Sequence, residues 1–276
     1  MFRQLLKYDI KYIFKYWWIA AATSIALSFI GGYALQILEI ELKKYEWLHT
    51  LCYFVLFFVI IGICIFPLVN IVLVLIRYYK NFFSDEAYLT FTLPVKKHQL
   101  INSKIATGFI LTFITNFTIL MDLFIFFAIG LPQYIFDAKF IDNITKFISD
   151  ACVYLGGYLV IYIFEFIILS VILSLSEFII LYTCITIGCM LTKKHKMVSS
   201  IAIYYGVSFI SSFVVQILVL DSGIGKIFEK FEKLSEVEIL NSISIIVLMI
   251  IAILTIFMSV FYLIEYYLID KKLNLE

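Results

Sequence analysis

The chain has 276 residues, of which 63% are hydrophobic and only 15% carry a charged side chain. A soluble domain of this length would carry about a quarter charged residues, so the composition excludes a soluble globular protein. The formal net charge of +1 gives no overall field that would attract nucleic acid, and we expect no nucleic-acid partner. We therefore predict an all-α polytopic membrane protein that forms a single domain over residues 1–276.

Residues 1–16 form a basic segment ahead of the first apolar run. Arg3, Lys7, Lys11 and Lys15 recur every four residues, so they follow one stripe of a helix. We interpret this segment as an interfacial helix that turns its lysines toward anionic lipid headgroups. A simple extension of the first span fits the same pattern.

Six apolar runs are long enough to cross a bilayer, which takes about 20 residues. The fourth run, 151–191, is too long for one crossing. Splitting it would place the lysines of 193–196 and 271–272 outside and remove the excess of basic residues on the inner side. We therefore predict six spans with both termini in the cytoplasm, and residues 151–162 outside the membrane or entering it obliquely. The spans are predicted at about 17–38, 50–76, 105–130, 160–191, 197–220 and 241–268.

A stripe of small residues lies on span one. Ala20, Ser24, Ser28 and Gly32 repeat every four residues, and small side chains let helix backbones approach closely in a membrane. This spacing predicts a helix-packing interface.

Polar side chains inside the spans are further candidates, because a charged group at mid-bilayer costs on the order of 3 kcal/mol or more. Ser170, Ser174 and Glu177 share one face of span four, and Asn116 and Asp122 lie in span three. We interpret these residues as the lining of a translocation path; hydrogen bonds between neighbouring helices are the structural alternative. Two further carboxyl groups lie toward span ends, Glu165 near the outer end and Glu265 near the inner end.

One predicted inner loop, residues 77–104, is long enough to form a docking element. Ser84 is predicted to cap a short helix whose first turn carries Asp85 and Glu86, where the helix dipole favours carboxylates. Pro94 is predicted to end it. The helix would bind a cytoplasmic partner, or alternatively anchor the loop at the membrane surface. The residues predicted to make the contact are Phe83, Ser84, Asp85, Glu86, Tyr88, Leu89 and Pro94.

The same loop carries a family resemblance. Its residues 77–95, RYYKNFFSDEAYLTFTLPV, resemble the loop between spans two and three in permease subunits of bacterial ABC type-2 exporters of Gram-positive type. Residues 185–196, ITIGCMLTKKHK, resemble the end of span four in those proteins, and the six-span topology extends the similarity over the whole chain. Ala87 departs from the family, which usually has glycine there. An amphipathic outer helix before the last span also fits, with Ile224, Ile227, Phe228, Phe231 and Leu234 on its apolar side.

The resemblance implies that a partner supplies the energy. Such permeases have no ATPase of their own, and the chain contains no G-x-x-x-x-G-K phosphate-binding motif, so we predict that it is not an enzyme and holds no cofactor. ATP and Mg would be bound by a separate cytoplasmic ATP-binding subunit seated on the loop helix. A second permease, identical or different, would complete the assembly in the bacterial cytoplasmic membrane, with the small-residue stripe between the two. The cargo would be a peptide, an antimicrobial, a drug or a lipid.

Other functions are compatible with the same spans. A secondary transporter needs no ATPase, but it should show inverted repeats and charged or broken helices at the midplane; Pro67 and Glu177 fit that description weakly. A non-transporting scaffold or an immunity protein is a further alternative. An intramembrane enzyme is disfavoured because no H-E-x-x-H or G-x-S-x-G motif occurs. The cysteines and histidines lack metal-ligand spacing, so no metal site is predicted.

Overall fold

The computed structural model of the chain describes residues 2–39, 46–192, 194–221 and 236–272. Nearly all of these residues are helical, and no strand occurs among them. The helices are α1 Phe2–Glu39, α2 Glu46–Phe83, α3 Glu86–Thr92, α4 Lys97–Gly130, α5 Pro132–Ile135, α6 Ala138–Leu155, α7 Tyr158–Leu191, α8 Lys196–Asp221 and α9 Glu236–Tyr267, which continues as a π-helical turn, Leu268–Lys272.

Six of these helices are long and apolar enough to cross a membrane, which confirms the predicted all-α polytopic fold. Several of the six helices continue well beyond the ends of the predicted spans. Helix α2 runs on to Phe83, and α4 already begins at Lys97. The predicted spans end where apolar residues end, whereas a helix continues through polar residues until its backbone conformation changes. The candidate spans are Phe2–Glu39, Trp47–Phe83, Lys97–Gly130, Tyr158–Leu191, Lys196–Val214 and Val237–Lys271.

Residues 2–16 are the first turns of α1, as the extension interpretation expects, and form no separate helix. Lys7, Lys11 and Lys15 are exposed, whereas Asp9 and Ile13 on the opposite side are buried. The basic stripe therefore faces away from the rest of the protein. The opposite side of the same segment packs against the protein.

The chain divides into two compact units within the single predicted domain. The first unit comprises Met1–Arg77 and Ala106–Tyr154, and the second comprises Tyr78–Ile105 and Leu155–Glu276. Both boundaries fall inside long helices, α2 and α4, rather than in loops.

Close helix packing characterises the first unit. A Cβ atom added to Gly31 would lie 2.6 Å from a methyl group of Val59 on α2 and 2.7 Å from the ring of Phe126 on α4. The indole nitrogen of Trp17 donates a buried hydrogen bond to Thr115 Oγ1 over 2.8 Å. Helix α1 is thereby held against both α2 and α4.

The second unit is centred on α7, which packs against α8 and α9. Tyr158 donates to the side-chain oxygen of Asn241, and Tyr162 donates to the backbone carbonyl of Leu240. Ser244 donates to a carboxyl oxygen of Glu165, which is buried. These bonds join the beginning of α7 to the beginning of α9.

Residues 151–162, predicted to lie outside the membrane or to enter it obliquely, contain the end of one helix and the start of the next. Helix α6 ends at Leu155, Gly156 adopts a left-handed conformation with a φ of +50°, and α7 begins at Tyr158. Such a φ is accessible to glycine at little steric cost, so Gly156 ends the preceding helix. The amphipathic helix predicted at Ile224–Leu234 lies outside the described residues.

Candidate functional site

Helix α3 is the short helix predicted between the second and third spans, but its start differs in detail. The hydroxyl of Ser84 donates to the Lys80 carbonyl over 2.6 Å, so it bonds back to α2 and does not cap α3. Asp85 occupies the N-cap position without a side-chain capping bond, and Glu86 opens the first turn. At the other end Leu93 is extended, with a ψ of 138°, because the residue before a proline is disfavoured in the helical region. Pro94 therefore ends the helix as predicted.

The two faces of α3 have different surroundings. Tyr88 and Leu89 are 69% and 68% exposed. On the opposite face Ala87 is buried, and the ring of Phe91 meets the ring of Phe82 edge-on, with their centroids 5.5 Å apart. Helix α3 is thus fixed on α2 by one face and presents an apolar pair on the other.

Contact of Phe83 with the partner, beside Tyr88 and Leu89, stays a prediction. Phe83 is half-buried, and its ring contacts the rings of Tyr78, Tyr79 and Phe82 at centroid distances of 6.2, 6.3 and 6.4 Å. Phe83 is the last residue of α2, so the orientation of its side chain follows from that helix and not from α3.

An aromatic stack continues inward from α3. The ring of Phe82 stacks on that of Tyr78 with centroids 4.8 Å apart, and Tyr78 stacks on Tyr182 of α7 at 4.1 Å with only 10° between the planes. All three side chains are almost fully buried. Stacked aromatic pairs contribute about 0.5–1.5 kcal/mol beyond their buried area. The stack therefore connects α3 to α7 through rigid, closely packed rings.

The hydroxyl of Tyr78 lies in a buried polar cluster. It donates to Glu265 Oε1 on α9 over 2.9 Å and lies 2.8 Å from the hydroxyl of Thr186 on α7. Glu265 is 0% exposed, and its Oε2 atom has no hydrogen-bond partner among the described residues. Buried polar groups are rarely left unpaired, so the Tyr78 bond is important for keeping this carboxyl inside the protein. We call Phe82, Tyr78, Tyr182, Thr186 and Glu265 the inner cluster.

A second set of contacts holds the start of α4 against the end of α9. The ammonium group of Lys97 forms a salt bridge with Asp270 over 3.2 Å, and it also donates to the Asp270 carbonyl. Tyr262 donates to the side-chain oxygen of Asn102 over 2.9 Å. The hydroxyl of Tyr182 donates to the backbone carbonyl of Lys104. The segment that follows α3 is thereby joined to the same two helices as the inner cluster.

Sequence reasoning did not predict the inner cluster. Two signals pointed to it: Glu265 is a carboxyl in an apolar run, and Tyr78 lies in the loop motif that carries the family resemblance. Their partnership spans 187 positions, and local spacing cannot predict such a pairing.

The predicted translocation-path residues are differently placed. Ser170 and Glu177 are exposed on α7, and Ser174 is half-buried. The serine hydroxyls donate to carbonyls of their own helix, those of Phe166 and Val171. The described part of the chain therefore shows no helix-to-helix bond for these serines. Their face of α7 is free to meet a second subunit or water.

On α4, Asn116 is exposed and Asp122 is fully buried. Six residues rotate a helix by about 240°, so the two side chains lie on different sides. They do not line one common surface of that helix.

Asp122 lies instead against the small-residue stripe of α1. The stripe residues Ser24 and Ser28 are buried beside it, and a Cβ atom added to Gly32 would lie 2.9 Å from Ile129 on α4. Both serine hydroxyls donate to carbonyls of α1. Neither carboxyl oxygen of Asp122 has a hydrogen-bond partner in the described residues.

The stripe therefore packs within one chain. Ser24, Ser28 and Gly32 are covered by α4 of the same molecule, and Ala20 is half-buried. Contact of the stripe with a second permease stays a prediction, and the surface left for it on this side of α1 is mainly that of Ala20.

A part-buried ion pair, also not predicted, lies near the start of α1 and the end of α2. Arg77 Nε lies 2.9 Å from Asp9 Oδ1, and the guanidinium is 4.3 Å from the centroid of the Tyr12 ring. Asp9 is 2% exposed, so the arginine neutralises a charge that is removed from solvent.

No group of three or more His, Cys, Asp or Glu side chains that could hold a metal ion occurs among the described residues. No protein-family model matches the chain, and no curated protein and no solved structure matches it. The functional interpretation therefore depends on the geometry of α3, the inner cluster and the membrane-facing helices.

Proposed function

We propose that this six-span protein is the membrane-spanning permease subunit of an ATP-driven exporter, with α3 as its coupling helix. The observation that carries the proposal is the two-sided packing of α3. Its outer face exposes Tyr88 and Leu89, while its inner face contacts the inner cluster through Phe91 and Phe82.

The exposed pair suits a protein partner. A tyrosine and a leucine side by side provide apolar area and one hydroxyl, and aromatic side chains that fill a pocket dominate the energy of many interfaces. Asp85 and Glu86 are exposed at the start of the same helix. Acidic side chains at the edge of a contact contribute mainly to orientation and specificity, which suits a basic rim on the partner. A cytoplasmic ATP-binding subunit, with ATP and Mg, fits this role.

The inner face suits transmission of movement. Close-packed side chains have little free volume, so a displacement of Phe91 must move Phe82 or break their contact. Phe82 stacks on Tyr78, which is bonded to both α7 and α9. Movement of α3 is therefore delivered to two of the candidate spans.

The exposed face of α7 supports an outward path for cargo. A charged carboxyl at mid-bilayer is costly when it faces lipid, so Glu177 favours contact with water or with a second permease. Ser174 and Ser170 lie on the same side, about one and two turns earlier in α7 respectively. A peptide, antimicrobial, drug or lipid cargo is compatible with this mixture of polar and apolar side chains.

A photocrosslinking experiment tests the docking surface. A benzophenone amino acid replaces Tyr88 in the full chain, in native membranes, and a second variant carries it at Phe113, an exposed position on α4. We expect the residue-88 probe to crosslink to a protein that also binds azido-ATP, and the residue-113 probe not to. Equal crosslinking at both positions, or a residue-88 product that binds no nucleotide, would overturn the assignment of α3.

A double alanine substitution tests whether α3 couples the ATPase to transport. Tyr88→Ala combined with Leu89→Ala should abolish ATP-dependent transport without lowering expression or stability in detergent, since neither side chain is buried. The matched control is Thr92→Ala, an exposed change on the same helix. Normal transport and normal binding of the ATPase by the double variant would make α3 a membrane anchor only.

The proposal also requires that α3 lies on the cytoplasmic side of the membrane. In a background without the native cysteines, Asp85→Cys should be protected from an impermeant thiol reagent in intact cells, and Asp142→Cys should be labelled. Both positions are exposed in the chain. Strong labelling of residue 85 would place α3 outside and exclude contact with a cytoplasmic ATPase.

Asp122 favours a second candidate, a transporter driven by an ion gradient. Its carboxyl group is fully buried in a candidate span and has no hydrogen-bond partner among the described residues. Such groups in transporters bind the coupling proton or cation. Gradient-driven transport by the purified chain alone, lost in Asp122→Asn, would favour this function over the ATP-driven one.

A further inference from the structure

Helix α6 is amphipathic, and nothing in the described chain covers its apolar face. At about 100° per residue, all of its apolar side chains except Ala138 and Val153 occupy one arc of about 160°, and the remaining arc holds every charged and polar side chain together with those two. None of its side chains is buried. The apolar arc contains Phe140, Ile141, Ile144, Phe147, Ile148, Ala151, Cys152, Tyr154 and Leu155.

The ends of α6 are set by local chemistry. Asp137 accepts a hydrogen bond at its Oδ1 atom from the backbone nitrogen of Lys139 over 3.1 Å, which is the N-capping pattern. Gly156, with its positive φ, follows the last residue. Helix α6 is therefore a defined element of 18 residues, about 27 Å long, and not a continuation of either neighbouring span.

The connections keep α6 close to the membrane. Two residues link Leu155 to Tyr158, where the apolar helix α7 begins at once. A link this short extends over no more than about 10 Å. The end of the apolar arc at Leu155 therefore lies close to the start of the candidate span α7.

The charges of α6 alternate in sign along the polar arc. Lys139, Asp142, Lys146 and Asp150 give the helix no net charge. A polybasic helix is attracted to anionic lipid, whereas a balanced one gains little from headgroup charge.

We propose that α6 lies in the membrane interface with its apolar arc in the acyl-chain boundary, and that it binds lipid without preference for anionic headgroups. The bilayer is favoured over a protein partner because α6 is connected at both ends to candidate spans and carries no net charge for a charged partner to recognise. This inference does not depend on the exporter function, since it requires only that α4 and α7 cross the membrane.

Site-directed spin labelling of the full chain tests the proposal. In a cysteine-free background, single labels at Ile144, Phe147 and Ile148 are compared with labels at Thr145, Lys146 and Ser149. The neighbouring positions Phe147 and Lys146 form a matched pair. The chain is reconstituted in phosphatidylcholine vesicles, and collision with oxygen, which dissolves in lipid, is compared with collision with a water-soluble nickel complex.

Labels on the apolar arc should collide more with oxygen, and labels on the polar arc more with nickel, with the same helical period. Adding phosphatidylglycerol should not shift the depth of either set. Apolar-arc labels shielded from both reagents would place the face against protein, such as a second copy of the chain. Nickel preference at all positions would place α6 in water. Either result would overturn the proposal. A label depth that changes when phosphatidylglycerol is added would overturn the part of it that excludes a preference for anionic headgroups.

Discussion

The hydroxyl of Tyr78 donates a hydrogen bond over 2.9 Å to Oε1 of Glu265, although 187 positions separate the two residues in sequence. Both side chains are 0% exposed. A buried carboxyl group is stable only while its few partners are in place, and here the bond joins α2, which continues toward α3, to the last candidate span. The stability of the second unit and the proposed coupling therefore depend on the same contact.

Removing that hydroxyl should destabilise the protein. Tyr78→Phe retains the stack on Tyr182 but leaves Oε1 of Glu265 without this donor, so we expect a loss of about 1–3 kcal/mol in the free energy of unfolding. Glu265→Gln keeps an acceptor and should cost less. Unfolding in detergent measures both changes. The control Tyr205→Phe alters an exposed side chain of α8 and should stay within about 0.5 kcal/mol. A Tyr78→Phe effect no larger than the control would contradict the importance of the bond.

Gly188 should not tolerate a side chain. A Cβ atom there would lie 2.6 Å from both the Cα and the backbone nitrogen of Ser200, and backbone atoms cannot rotate away. Gly188→Ala should therefore force α7 and α8 apart and cost about 1–3 kcal/mol. Gly206→Ala, on α8 with nothing within 4 Å, should be neutral or stabilising because alanine favours the helix. The two melting temperatures should move in opposite directions or differ clearly; equal shifts would disprove the close contact.

The ion pair between Asp9 and Arg77 should show strong coupling. Arg77→Gln leaves a buried carboxylate without its guanidinium, which should cost about 3 kcal/mol. Most of this loss should disappear when Asp9→Asn is added, because the double variant contains no unpaired charge. A double-mutant cycle on unfolding measures the coupling. Lys7→Gln, an exposed change on the same helix, is the control. Additive losses from the two substitutions would show that the pair contributes no specific energy.

Glu177 should affect transport rather than folding. It is exposed on α7, and replacing a charged group within a span favours insertion by up to about 3 kcal/mol, so Glu177→Leu should not lower stability. If its face of α7 contacts cargo or a second permease, ATP-driven efflux by the assembled exporter should fall. Ile168→Ala, an exposed apolar change on the opposite side of α7, should leave efflux unchanged. Normal efflux in Glu177→Leu would remove this residue from the path.

The membrane fold could be predicted because it depends on local properties. Apolar length and the positions of lysines were sufficient for six spans, and Pro94 was sufficient for the end of α3. The start of α3 was predicted less well. Ser84 has two competing bonding partners, the α3 backbone and the Lys80 carbonyl, and sequence alone does not rank them.

Side-chain partners were harder to predict than helices. Asp122 was identified as unusual, but its location against Ser24 and Ser28 depends on the rotation of α1 relative to α4. Helix α6 was missed for another reason. Its helical period is clear over 138–155, but a search for long apolar runs passes over a sequence in which seven of the 18 residues are polar.

The burial of Trp17 provides a natural optical signal. The chain has three tryptophans; Trp17 is 4% exposed and donates to Thr115, whereas Trp18 and Trp47 are 60% and 65% exposed. Brominated lipids quench indole fluorescence on contact, so they should quench the emission of Trp18 and Trp47 and leave the emission of Trp17. The emission that survives quenching would then report whether α1 remains seated on α4, without any added label.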